Sequence, residues 1–191
     1  MKNKNNKIGI DLDGVIIDHT QNKIKAAMEL GFSVTAKETT SSKFLKVKMP
    51  AEAYRELQRK TYDEMSPTAP PIPGALKSIK ELHNRGFEMF IVSRRKIPGP
   101  AVDWLQRYGV LDIIPKEKIF FVKEDHQKEK MAQKLKLDIL LDDQCKVLKE
   151  LKSVKHIIFF NFHEVDNEGF CEVKSWEKFL KLVNKITETN V

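Results

Sequence analysis

Apolar residues along this chain gather in short runs at residues 8–12, 88–92, 119–122, 138–141 and 157–160. Short apolar runs bounded by turn signals read as buried strands. Between them lie segments 75–85, 99–108, 128–136 and 144–151, whose apolar residues recur at helical spacing, as at Leu76, Ile79 and Leu82. A last helix is expected to start near Ser175, a good N-cap, and to carry Trp176, Phe179, Leu180 and Val183 on one face. Strand and helix patterns in alternation predict an α/β fold: a parallel sheet of about five strands flanked by helices, with right-handed crossovers.

One stretch breaks the rhythm. Residues 18–73 hold no convincing strand, but show helical patterning at 22–30 and 51–65, and close on the stiff proline-rich connector 67–74. A structureless loop of roughly 50 residues is too long for a compact domain. The segment therefore reads as a helical insert, residues 18–73, in a core made of 1–17 and 74–191. Its place directly after the first strand suits a lid over a site at that strand's tip; packed helices with no gating role are the alternative.

Composition narrows this picture only modestly. The 41% hydrophobic and 32% charged residues describe a folded globular chain. No apolar run is long enough to span a membrane, and the polar start, residues 1–7, lacks a signal-peptide core, so a cytoplasmic location is expected. Cys145 and Cys171 form no metal-like cluster and read as reduced. The net charge of +7 favours anionic partners, but lysines are interleaved with glutamates throughout. That reads as a solvated surface, and nucleic-acid binding is not expected from charge alone.

The candidate chemistry lies at the ends of three runs. The first ends in Asp11-Leu12-Asp13-Gly14, two carboxylates two residues apart before a glycine. Residues two apart on a strand share a face, and in open α/β sheets ligands bind beyond the carboxyl ends of strands. One aspartate can attack phosphorus while the other moves protons. The second run ends in Ser93-Arg94-Arg95: a hydroxyl can donate to a phosphoryl oxygen, and one of the arginines, with Arg94 taken first, can help bind substrate. The third ends in Asp142-Asp143, which with Asp11 offers the hard oxygen ligands that Mg²⁺ prefers. Lys123, Lys128, Lys130 and Lys134 are candidates for a cation near these acids. His19 and the insert's Lys46, Lys48, Arg55 and Arg59 are secondary candidates for substrate contact. Trp104 and Trp176 fit core positions, and the remaining histidines show no ligand spacing.

In this order the motifs Asp11-Leu12-Asp13-Gly14-Val15, Ile91-Val92-Ser93, a lysine, and Leu140-Leu141-Asp142-Asp143 resemble those of the haloacid dehalogenase-like superfamily. The resemblance covers about residues 8–145. It implies a Rossmann-like core with a small helical cap inserted after strand 1, and an Mg²⁺-dependent phosphomonoester hydrolase working through an aspartyl-phosphate. By that resemblance Asp11 is the nucleophile and Asp13 the acid/base. Ser93 and Lys128 bind phosphate, with Lys130 the fallback lysine; Arg94 joins them as a phosphate-binding candidate from its place after Ser93, not from the resemblance. Asp11, Asp142, Asp143 and the backbone carbonyl of Asp13 hold the metal. Asp13 favours phosphatase chemistry over dehalogenation. The Asp-Gly-Val motif and the Ser175-Trp176-Glu177 helix start resemble the deoxyribonucleotidase-type members, so a small phosphorylated metabolite such as a nucleoside monophosphate is the expected substrate. A sugar-phosphate phosphatase, a phosphomutase and a non-catalytic phospholigand-binding module are the alternatives.

Overall fold

A computed structural model describes residues 6–188; most of the polar N-terminal start lies outside them. The sheet has six parallel strands rather than about five: β1 (Lys7–Ile10), β2 (Glu88–Arg94), β3 (Ile119–Val122), β4 (Ile139–Asp142), β5 (His156–Phe160) and β6 (Cys171–Val173), in the order β3-β2-β1-β4-β5-β6. The extra strand, β6, is three residues long and sits at the sheet edge. It is too short to show alternation in the sequence.

Strand alternation builds two cores. Ile8, Ile10, Ile91, Ile139, Leu141, Ile158 and Phe160 point to one face, where they pack on α4 (Ala75–Asn84), α5 (Gly99–Arg107) and α8 (Trp176–Glu188). Phe90, Val92, Leu140 and Phe159 point to the other, against α6 (His126–Leu135) and α7 (Cys145–Leu148). Both faces are covered, which is why these strands read as nearly continuous apolar runs. Ser175 caps α8 as expected, its Oγ accepting from Lys178 N at 3.2 Å.

The stretch between β1 and α4 is helical. It holds α1 (Thr20–Glu29), α2 (Ser42–Lys48) and α3 (Ala51–Arg59), followed by a π-helical turn at Lys60–Glu64 and a 3₁₀ turn at Ser66–Thr68. It buries its own cluster of Ala26, Ala27, Val34, Leu45, Met49 and Leu57. Where the chain enters and leaves this insert, its two crossings bond to each other, Asp18 N to Pro70 O at 2.9 Å and Ile72 N to Ile16 O at 2.8 Å. Two buried tryptophans brace those crossings: Trp176 Nε1 donates to Val15 O at 2.8 Å and Trp104 Nε1 to Ala69 O at 2.7 Å. The α2 helix falls where the sequence showed no clear pattern, because Phe44 and Val47 on it face solvent.

Candidate active site

After β1 the chain returns to pair with β2 and then β3 on one side, before crossing to place β4 on the other. This reversal leaves a crevice beyond the carboxyl ends of β1 and β4, the place where open α/β sheets hold ligands. Asp11 leaves β1 there, its N–H still bonded to Leu141 O at 2.9 Å, and Asp142 ends β4. Asp13, two residues beyond Asp11, and Asp143, next to Asp142, continue from those ends.

Lys128, from the first turn of α6, reaches between the first two acids. Its Nζ donates to Asp11 Oδ1 at 2.8 Å and to Asp142 Oδ2 at 2.6 Å, with all three side chains almost fully buried. Burial alone would favour a neutral lysine, but the two carboxylates outweigh it and hold the ammonium well charged. Asp142 is anchored further by Gln144 N on Oδ1 at 2.9 Å. The other candidate lysines do not join this group.

One oxygen from each of Asp11, Asp142 and Asp143 lies within 4.8 Å of the others. Three carboxylates around one ammonium leave an excess of negative charge. Burial first, then the charges of Asp11 and Asp142, push Asp143 well above the usual carboxylate range. Burial likewise raises Asp11 to about 6, with Asp142 and Asp13 adding to the effect and Lys128 opposing it. Hard oxygen donors with uncompensated charge in a small radius fit a divalent cation such as Mg²⁺. Gly14 shapes the same place: at φ +90° it takes a left-handed backbone, and a Cβ there would run into the Asp143 carboxylate. The side chain of Asp13 is not part of this cluster.

Asp13 faces another way. Arg95 grips it with a fork, Nε to Oδ2 at 3.0 Å and Nη2 to Oδ1 at 2.9 Å, and His19 Nε2 lies 2.7 Å from Oδ1. Burial pushes the carboxyl up, but Arg95 and His19 outweigh it and hold Asp13 well below the usual range. Burial also holds His19 neutral against the pull of Asp13. A neutral ring beside a carboxylate must carry its proton on Nε2.

Ser93 is 1% exposed, at the carboxyl end of β2 beside this crevice. Arg94 is not brought into it: its side chain is about half exposed and pairs with Asp125 at 3.1 Å. The arginine in the site is Arg95. The strand period gives the reason, since residues 93 and 95 share a face and 94 takes the opposite one. The insert's Lys48, Arg55 and Arg59 pair with glutamates of the insert itself, and Lys46 lies over the Tyr54 ring. Sequence reasoning missed three insert residues at the site, Lys23, Tyr62 and Ser66. Ser66 Oγ accepts from Arg95 Nη2 at 2.8 Å, and the Tyr62 ring meets His19 edge-on at 5.0 Å. Tyr62 rides on the π-helical turn, a local irregularity that apolar periodicity does not report.

A small solvent-open cleft adjoins Asp143, lined among others by Gly14, Lys23, Thr40 and His163. Gln144 spans its edge, donating from Nε2 to Thr40 O of the insert at 2.8 Å and to Asp143 Oδ2 at 3.0 Å.

The profile of the family described as 5′ nucleotidase, deoxy (pyrimidine), cytosolic type C protein matches residues 5–188. The chain belongs to that family. The "Putative nucleotidase" of Oceanobacillus iheyensis is 30% identical over 118 residues, 59% of this chain and 61% of that protein. The "Putative 5′(3′)-deoxyribonucleotidase" of Acanthamoeba polyphaga mimivirus is 26% identical over 153 residues, 74% of this chain and 64% of that protein. The matches thus span under two thirds of these relatives' own length. Among solved structures, a haloacid dehalogenase-like family hydrolase from Streptococcus pneumoniae superposes with a TM-score of 0.69 at 15% identity, over 93% of this chain and 98% of that one. The fold is therefore haloacid dehalogenase-like. Among the described residues no helix is long and apolar enough to cross a membrane.

Proposed function

We propose that this chain is an Mg²⁺-dependent phosphomonoester hydrolase acting on nucleoside monophosphates, most readily deoxyribonucleotides. The observation that carries the reading is the buried Asp11–Lys128–Asp142 bridge with Asp143 beside it, at the crevice beyond β1 and β4. Membership of the nucleotidase family and the name of the viral relative support the substrate class.

Asp11, Asp142 and Asp143 would hold the metal, together with the backbone carbonyl of Asp13. When bound, Mg²⁺ supplies the positive charge that lets carboxylates face a phosphate dianion. Lys128 fixes the Asp11 carboxylate through Oδ1, leaving Oδ2 for in-line attack on phosphorus. Ser93 and the Lys128 ammonium stabilise charge on the phosphoryl oxygens. The P–O bond to the leaving alkoxide breaks as the Asp11–phosphorus bond forms. Asp13, which Arg95 and His19 favour as the carboxylate, takes up a proton as substrate binds, gives it to the alkoxide, and then takes one from the water that hydrolyses the aspartyl-phosphate. A carboxylate has about four acceptor sites. Arg95 and His19 occupy both on Asp13 Oδ1, and Arg95 one on Oδ2, so the proton travels on Oδ2.

The insert acts as a cap of residues 18–73. Its separate core and bonded crossings support a rigid body on a short hinge, and the open cleft beside Asp143 is lined from both the insert and the core. The test is a hydrolysis panel of ribo- and deoxyribonucleoside 5′- and 3′-monophosphates and sugar phosphates, with Mg²⁺ and with excess chelator. Metal-dependent phosphate release favouring nucleotides is the expected result. Release unaffected by chelator overturns the metal role, and preference for sugar phosphates overturns the substrate.

A further inference from the structure

Arg95 is a heavily engaged buried side chain that the reaction scheme uses only as a donor to Asp13. Its side chain is 3% exposed, yet its partners come from three parts of the chain. From the β1 end it takes both oxygens of Asp13. On the insert it donates from Nη2 to Ser66 Oγ at 2.8 Å, its Nη1 lies 3.5 Å from Tyr62 O, and its guanidinium sits over the Tyr62 ring, 5.3 Å from the centroid. At the hinge, Nη2 lies 3.2 Å from His19 Nε2. With that nitrogen protonated toward Asp13, this last contact is proximity and not a hydrogen bond.

Such a constellation needs arginine. A planar fork fixes the plane of a carboxylate through two parallel bonds, while its remaining N–H groups and its flat face bind other partners. A guanidinium already spent on protein partners and closed off from solvent is not an open phosphate ligand. Arg94, one residue earlier, faces solvent and Asp125 and can do none of this.

We propose that Arg95 is a positioning residue that couples the seating of the insert to the orientation of Asp13. Ser66 and Tyr62 reach Arg95 only when the π-helical and 3₁₀ turns lie against the core. The same guanidinium then sets the angle of the Asp13 carboxylate and leaves one lone pair of Oδ2 free. Cap closure and placement of the acid become one event. This inference rests on the phosphomonoesterase reading for its kinetic half, and on the geometry alone for its structural half.

Two measurements on Arg95→Gln and Arg95→Lys test it, with folding checked by circular dichroism. The first compares hydrolysis of an alkyl phosphate with that of p-nitrophenyl phosphate, whose leaving group needs little protonation. Misplacing the acid is expected to lower kcat by about 100-fold for the alkyl ester and by less than about 10-fold for the aryl ester, with KM for both nearly unchanged. Lys keeps the charge but not the fork, so it should not restore the alkyl ester rate. The second is amide hydrogen exchange over residues 60–68, expected to accelerate in both variants relative to wild type. Equal losses on the two esters, or a rise in KM with kcat kept, would overturn the positioning role; the latter would make Arg95 a phosphate ligand. Unchanged exchange over 60–68 would overturn the tether. If wild-type protein hydrolyses neither ester, the proposed function fails, and the exchange result still decides the tether. If the Arg95 variants do not fold, Ser66→Ala replaces them: it removes one anchor, and unchanged exchange in it overturns the tether.

Discussion

Lys128→Met keeps side-chain length and deletes one charge. In the native arrangement that charge sits 2.8 Å from Asp11 Oδ1 and 2.6 Å from Asp142 Oδ2, out of contact with water. Removing it forfeits two charge-assisted hydrogen bonds and leaves a buried cluster of acids without its cation. Breaking a buried pair from one side costs about 3–5 kcal/mol, a large share of a typical total stability of about 5–15 kcal/mol. For a chain of this size the melting temperature falls by roughly 2–4 °C per kcal/mol, so a drop of about 6–20 °C is expected. Lys128 has its folded-state pKa raised above the ordinary lysine value, so its contribution is fully present at neutral pH and fades only as the solution becomes strongly alkaline. The assay is urea unfolding at neutral pH in excess chelator, repeated with Mg²⁺. A cation that binds the folded state stabilises it by about 2.7 kcal/mol at a hundredfold excess over its Kd, so Mg²⁺ should recover part of the loss. A loss below about 1 kcal/mol in chelator would refute the argument that this ammonium compensates the acids.

Three further outcomes follow from the same geometry. Gly14→Ala should weaken Mg²⁺ binding in calorimetry and lower stability, because it adds a left-handed strain of about 1–2 kcal/mol and drives a Cβ into the Asp143 carboxylate. Trp176→Phe leaves Val15 O buried without its donor and should cost about 1–3 kcal/mol in urea unfolding. Asp11, raised to about 6, binds its proton more tightly folded than unfolded. The metal-free protein should therefore lose stability as pH rises from about 4 through 6, while Mg²⁺ affinity grows over the same window, because binding displaces that proton. Calorimetric titrations at pH 5 and pH 7 check this, and equal affinities would count against it.

The acids were legible in the sequence because they stand at the ends of apolar runs that announce buried strands, whereas the runs left four lysines open and only the family resemblance singled out Lys128. The central sheet was readable for the same reason, whereas β6 was lost at three residues. The sequence left Arg94 and Arg95 as alternatives, with Arg94 taken first; the fold brings in Arg95, because residues two apart along an extended chain share the face of Ser93. Ser66, Tyr62 and Lys23 carried no local signal, because their neighbourhood exists only once the insert folds back across the core. The cleft beside Asp143 is of that kind too: Thr40 and His163 stand far apart along the chain and line one space.

The central claim is that Asp11 is the attacking group. The direct measurement is rapid acid quench of the protein with Mg²⁺ and a radiolabelled nucleoside monophosphate, followed by peptide mapping. The account predicts label on the peptide carrying Asp11, and neither label nor turnover in Asp11→Asn with its fold intact. Turnover without protein-bound label, or turnover retained in Asp11→Asn, would contradict it.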